Sequence, residues 1–204
     1  MNRKLTLTAA AVGLFSAVTL TSNLPLQGHD YDRDEQHFSE AAREIQRGFA
    51  IAPVKLSLEG KDPRLVGLGS YIVNAQGGCN DCHSCPSYNP GHNPFPQPFG
   101  NNGDGQVNNT SYLAGGVDFG PPGHTVTSAN LTPDATGKPH GLTLEQFEFA
   151  LRTGHDPLEH DLLAVMPWSY YRFMTDRDLH AIYAFLSAIP AAQTPDTHCT
   201  NAGQ

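Results

Sequence analysis

The stretch Gly77-Gly78-Cys79-Asn80-Asp81-Cys82-His83 decides how the rest of the 204-residue chain is read. Two glycines stop a preceding helical pattern, and Cys-x-x-Cys-His follows at once. On a helical turn, positions i, i+3 and i+4 share one face. Cys79 and Cys82 can then form thioethers to the two vinyl groups of one haem, with His83 reaching the iron from the same side. This is the attachment pattern of c-type haem. Composition alone would produce it in about four of a thousand such chains, so the signal is strong for a short motif.

Three other readings compete. A redox dithiol would need a thioredoxin-like βαβ pattern around it, and none is visible. Zinc could take Cys79, Cys82, Cys85 and a fourth ligand, yet no second paired motif is present. Cys79, Cys82 and Cys85-Pro86 echo an iron–sulfur run, but that run needs a cysteine where Asn89 stands. One covalently attached haem c is therefore the expected cofactor.

The second axial ligand is sought among methionines and histidines. A lone Met is more often packing than ligand. Met1 lies at the N-terminus. Met166-Pro167 stands in a loop before the last helix, where the proline fixes the backbone beside a weak ligand. Met174 precedes the helix cap Thr175 at a position that would pack on that helix. His155 and His160 are near Met166 in sequence and remain alternatives. Met166 is the preferred ligand, and His/Met ligation raises the iron potential relative to His/His.

Outward from the motif, Leu65, Leu68, Ile72 and Ala75 repeat at helical spacing. Ser39 to Phe49 reads as a short helix capped by Ser39, after a charged, solvated arm over Asp30 to Glu40. Val54 to Leu58 alternates as an extended strap. Cys85 to Thr127 is rich in Pro, Gly and Asn and too long for an ordinary connection, which leaves a functional, haem-covering or disordered loop. Asn101 to Asn109 lacks the glycine and terminal glutamate of a calcium loop and reads as turns. Thr143-Leu144-Glu145-Gln146 is a capping box for a helix ending at Gly154. Thr175 caps a final helix whose apolar face is Leu179, Ile182, Tyr183 and Leu186, closed by Pro190.

Residues 1–22 read as a signal peptide: Arg3 and Lys4 precede an uncharged, mostly apolar run from Leu5 to Leu20. Left uncleaved, the segment would be a membrane anchor. The remaining divisions are an arm and strap over 23–60, a haem domain over 61–190 and a tail over 191–204. The expected destination is periplasmic or otherwise exported, and oxidising. Cys85 and Cys199 are left over and most simply form a disulfide, worth roughly 4–5 kcal/mol in the chain-entropy model; two free or separately paired thiols are the alternative. The chain carries 12 Lys+Arg against 20 Asp+Glu, a formal charge of −8, so nucleic acid is not an expected partner. The 20 Gly and 16 Pro predict long irregular loops.

Several stretches together resemble a monohaem class I cytochrome c, similar to the periplasmic cytochrome c proteins and domains that accompany membrane-bound alcohol, aldehyde and gluconate dehydrogenases. They are Gly69-Ser70-Tyr71-Ile72-Val73 ahead of Gly77-Gly78-Cys79, Ser128-Ala129-Asn130-Leu131-Thr132-Pro133-Asp134, Leu151-Arg152-Thr153-Gly154, Met166-Pro167-Trp168-Ser169-Tyr170-Tyr171, and Asp178 to Leu186. The resemblance implies an all-α class I cytochrome c fold, here with a long Pro/Gly-rich loop insertion and an N-terminal helix-plus-strap extension. It implies a first haem-domain helix crossing the last, with Gly69 and Tyr71 facing Ile182 and Tyr183. It further implies His83 and Met166 as iron ligands, and Asn130 and Trp168 near the haem edge or its propionates.

The function that follows is one-electron transfer rather than catalysis. Redox proteins are the implied partners, a dehydrogenase or terminal oxidase among them. Two alternatives stay open: an accessory haem subunit of a membrane-bound dehydrogenase or oxidase complex, and a ligand-binding haem enzyme or sensor in which Met166 is labile.

Overall fold

A computed structural model describes residues 28–121, 124–158, 161–162 and 165–200, with side chains from residue 40 onward. The expected signal segment over 1–22 lies outside the described residues. The element order is α1 (Gly28–Ile51), α2 (Pro63–Tyr71), a π-helical turn (Ile72–Gln76), α3 (Cys79–His83), β1 (Val117–Phe119), β2 (Val126–Thr127), α4 (Leu144–Thr153), α5 (Trp168–Tyr171), α6 (Asp176–Leu186) and β3 (Cys199–Thr200).

The core is an interlock of α2 and α6. Asp62 caps α2 by accepting from the Arg64 amide, and Pro63 opens the first turn, where its missing N–H costs nothing. Thr175 caps α6 in a full capping box with Asp178. Where the two helices meet, a Cβ on Gly69 would lie 1.9 Å from the Ala181 carbonyl oxygen and 2.8 Å from the Phe185 Cβ. Only a residue without a side chain permits that approach. The expected crossing of α2 with α6 is present, and Gly69 meets α6 most closely at Ala181 and Phe185. Val66, Leu179, Phe185 and Leu186 are sealed beneath it.

The N-terminal helix is longer than its apolar pattern predicts. It begins at Gly28, so Ser39 lies within it rather than capping it. The stretch Asp30 to Glu40 carries no apolar stripe, but Glu, Gln and Arg are good helix formers and extend the helix all the same. Its C-terminal part packs on α2, where Ser70 Oγ donates to the Gly48 carbonyl at 2.7 Å. The strap then crosses the base of the core, and the Ser57 amide donates to the Ala188 carbonyl at 2.8 Å.

The all-α expectation is corrected by a three-stranded mixed sheet of order β2-β1-β3. β1 runs antiparallel to β2 with Asp118 opposite Thr127, and parallel to β3 with Val117 opposite Cys199. The physical cause is a disulfide between Cys85 and Cys199, which carries the C-terminal tail to the loop. Once there, the tail's backbone groups must be satisfied, and the Cys199 amide donates to Gly116 at 3.0 Å. Strands of two or three residues give no readable alternation in sequence.

The Pro/Gly/Asn-rich loop is folded. Tyr88 bridges to Val107, the Asn89 amide donates to the Gln106 carbonyl at 3.0 Å, and His92 pairs with Asp104 at 2.7 Å. Tyr112, Leu113 and Ala114 from the same loop are buried in the core. A Gly69→Ala variant should lose on the order of 1–3 kcal/mol to overpacking, read as a lowered urea midpoint, whereas Gly60→Ala meets no atom within 4 Å and should cost less despite its positive φ.

Candidate haem site

The helical turn α3 places Cys79, Cys82 and His83 along one wall of a cavity of about 940 Å³, counted out to its open mouth. Its start is set by Gly78, whose φ of +57° is the left-handed conformation that glycine adopts at little cost. The preceding π-helical turn closes with the Gly77 amide donating to the Ile72 carbonyl at 2.7 Å. Two side chains hold this entry: Tyr171 donates to the Gly77 carbonyl at 3.0 Å, and Tyr112 donates to Asn74 Oδ1 at 2.6 Å. Past the turn, Ser84 Oγ donates to Asn80 Oδ1 at 2.8 Å and accepts from the Leu113 amide at 2.8 Å.

The opposite walls are apolar: Leu131, Phe147, Leu151, Ile182 and Leu186 come from three other segments. His83 Nδ1–H donates to the Ala129 carbonyl at 2.9 Å, which fixes the tautomer and leaves Nε2 as the nitrogen available to a metal. Burial lowers the His83 pKa, with the Ala129 bond opposing and His140 adding to the effect. The ring is therefore biased to the neutral, ligating form.

Cys79 and Cys82 are unpaired thiols. Desolvation in the apolar cavity pushes the Cys79 thiol up to about 12, and raises Cys82 by the same cause. An attacking dithiol needs the reverse, a depressed pKa. Cys85, bonded to Cys199, is removed from any zinc or iron–sulfur ligand set. Two neutral thiols, an imidazole with one nitrogen free and an apolar cleft of this volume fit a covalently held haem.

Met166 lines this cavity and two smaller adjoining ones, all three shared with His83. Met174 also lines the main cavity, rather than only packing on α6 as its staple position suggested, but it does not reach the other two. His155 is exposed, pairs with Asp161 and stays out of the cavity; His160 lies outside the described residues. Asn130 is turned elsewhere: its Nδ2 donates to Ala192 at 2.8 Å and its Oδ1 accepts from the Thr132 amide at 2.9 Å. The Trp168 indole lies against Gly154. Neither Asn130 nor Trp168 is among the side chains lining the cavity, although their sequence neighbours Leu131 and Pro167 are.

Sequence reasoning missed the Ala129 carbonyl, since a backbone acceptor leaves no residue-type signal. It also missed a partly buried pair, His140 and Asp156, which together line one adjoining cavity with His83 and Met166.

No protein-family model matches the chain. It is 37% identical over 86 residues to the fructose dehydrogenase cytochrome subunit of Gluconobacter japonicus, covering 42% of this chain and 17% of that protein. It is 29% identical over 160 residues to the cytochrome c subunit of the quinone alcohol dehydrogenase of Gluconacetobacter polyoxogenes, covering 78% and 28% respectively. It is 30% identical over 131 residues to the gluconate 2-dehydrogenase cytochrome c subunit of Pantoea cypripedii, covering 63% and 24%. The chain thus spans between about a sixth and just over a quarter of the length of these relatives.

In the haem-free folded chain, alkylation of Cys79 should be far slower at pH 8 than in the unfolded chain, and should keep accelerating above pH 9. Fast alkylation at pH 7 would instead mark an activated dithiol. The curated relatives named here are cytochrome c subunits of alcohol, fructose and gluconate dehydrogenases.

Proposed function

We propose that the chain is an exported cytochrome that carries one electron at a time on a single haem c, and that it serves a dehydrogenase complex. The observation that carries this reading is the placement of Cys79, Cys82 and His83 on one wall of a deep apolar cavity with Met166 lining the same space. Thioether bonds to Cys79 and Cys82 would make the cofactor permanent. A haem held there supplies an iron that takes up and gives back one electron.

This chain's residues do the rest. His83, held by Ala129, would offer Nε2 to the iron. Met166 would hold the same iron through its thioether and so keep substrates from it. The apolar walls exclude water and limit reorganisation around the charge change, and thioether ligation together with burial favours a raised potential. The number of haems rests on the cysteines: four in all, two in the motif and two in the disulfide.

The dehydrogenase partner is suggested by the relatives, which are named as cytochrome subunits of such enzymes. Docking is expected at the cavity mouth, where Val165 is half exposed, through the small, wet contact usual for redox encounters. Export is supported by the charged-then-apolar N-terminus and by the disulfide, which persists in oxidising compartments. Among the described residues, no helix is long and apolar enough to cross a membrane.

Oxidised and dithionite-reduced absorption spectra, recorded before and after acid–acetone extraction, test the reading. The haem should stay with the protein, and the oxidised form should show the weak red iron–thioether band. Met166→Ala should abolish that band and open the reduced iron to carbon monoxide, whereas Met174→Ala should leave the band in place. Loss of the band in Met174→Ala alone would move the ligand to Met174.

A further inference from the structure

His140 stands in the left-handed region at φ +51°, which few residues other than glycine occupy. Its side chain is 13% exposed and pairs with Asp156, itself 7% exposed, at 3.1 Å. The other ring nitrogen, Nδ1, lies 3.2 Å from the Asn130 carbonyl. That carbonyl follows directly on the Ala129 carbonyl that holds His83. The strained backbone therefore aims one ring at both a peptide on the His83 side and a carboxylate on the far side.

Asp156 belongs to the connection between α4 and α5, the one that carries Met166. Its Oδ1 accepts from the Leu158 amide at 2.8 Å, and the Leu162 amide donates to Gly154 at 2.8 Å, so the start of this connection is pinned. His140 and Asp156 line one cavity together with His83 and Met166. The geometry points to His140–Asp156 as a clasp: a positioning pair that ties the segment orienting His83 to the connection presenting Met166, and so keeps the thioether at bonding distance. The inference rests on the ligation by His83 and Met166 proposed above.

The pair has another conceivable role, as two opposite charges tuning the iron through space. The two roles predict different signs. Charge alone makes loss of His140 lower the potential and loss of Asp156 raise it, with Met166 still bound. A clasp makes both losses act alike: Met166 is released, and the potential falls with the loss of the thioether.

The test compares His140→Gly, which keeps the left-handed backbone without strain, with Asp156→Ala and Asp156→Asn in the haem-loaded protein. The readouts are the red iron–thioether band, carbon monoxide binding by the reduced form and the midpoint potential, with far-UV circular dichroism and Tm beside them. The clasp predicts that His140→Gly and Asp156→Ala both weaken or lose the band, bind carbon monoxide and fall in potential. Asp156→Asn, which keeps a hydrogen-bonding side chain of the same size, should stay near the wild type. Potentials that move in opposite directions with the band intact, or three variants like the wild type, would overturn it. If His140→Gly fails to fold, Asp156→Ala against Asp156→Asn decides alone. A wild-type protein without the band would overturn the Met166 ligation first, and that is visible before any substitution is made.

Discussion

The bond from His83 Nδ1–H to the Ala129 carbonyl joins positions 46 residues apart, and most of the structure is arranged around making it possible. The chain between must leave the helical turn at Cys79–His83, fold back and return its backbone to within reach of the ring. The Gly115 amide donates to the His83 carbonyl at 2.7 Å and the Leu131 amide to the Leu113 carbonyl at 2.8 Å, which zips the return path to the outgoing one. The disulfide and short sheet clamp the same path from outside. A buried imidazole with one nitrogen committed in this way has a fixed tautomer and a fixed plane, the two properties a metal-ligating histidine needs.

Two rigid features supply the frame. The α2–α6 crossing at Gly69 sets the floor of the cavity, and the capped α4 supplies Phe147 and Leu151 as a wall. Between them lies a space with few polar groups of its own. A cleft lined by leucine, isoleucine and phenylalanine suits a flat apolar macrocycle far better than a polar substrate.

Much of the site was legible because its chemistry is local. Cys79, Cys82 and His83 share one helical turn, Thr143 and Gln146 cap each other reciprocally, and Thr175 opens α6 as its position implied. What was not legible depends on distant groups. The sheet exists because a tail cysteine reaches Cys85, and strands so short have no pattern of their own. Helix α1 extends to Gly28 through residues with helix propensity but no apolar stripe. The bond from the Asn130 amide to the Ala192 carbonyl, sixty-two residues on, has no local sequence signal. His140 and Asp156 are ordinary loop residues until the fold seals them together.

The claim on which all of this depends is covalent attachment at Cys79 and Cys82. Intact mass spectrometry of the exported protein under denaturing conditions tests it most directly. The account predicts a mass equal to the polypeptide plus one haem, less two hydrogens for the Cys85–Cys199 disulfide, retained after unfolding, and a haem-free polypeptide when both Cys79 and Cys82 are replaced by serine. A wild-type mass without haem, whether with the one disulfide or less four hydrogens for two disulfides, would contradict it.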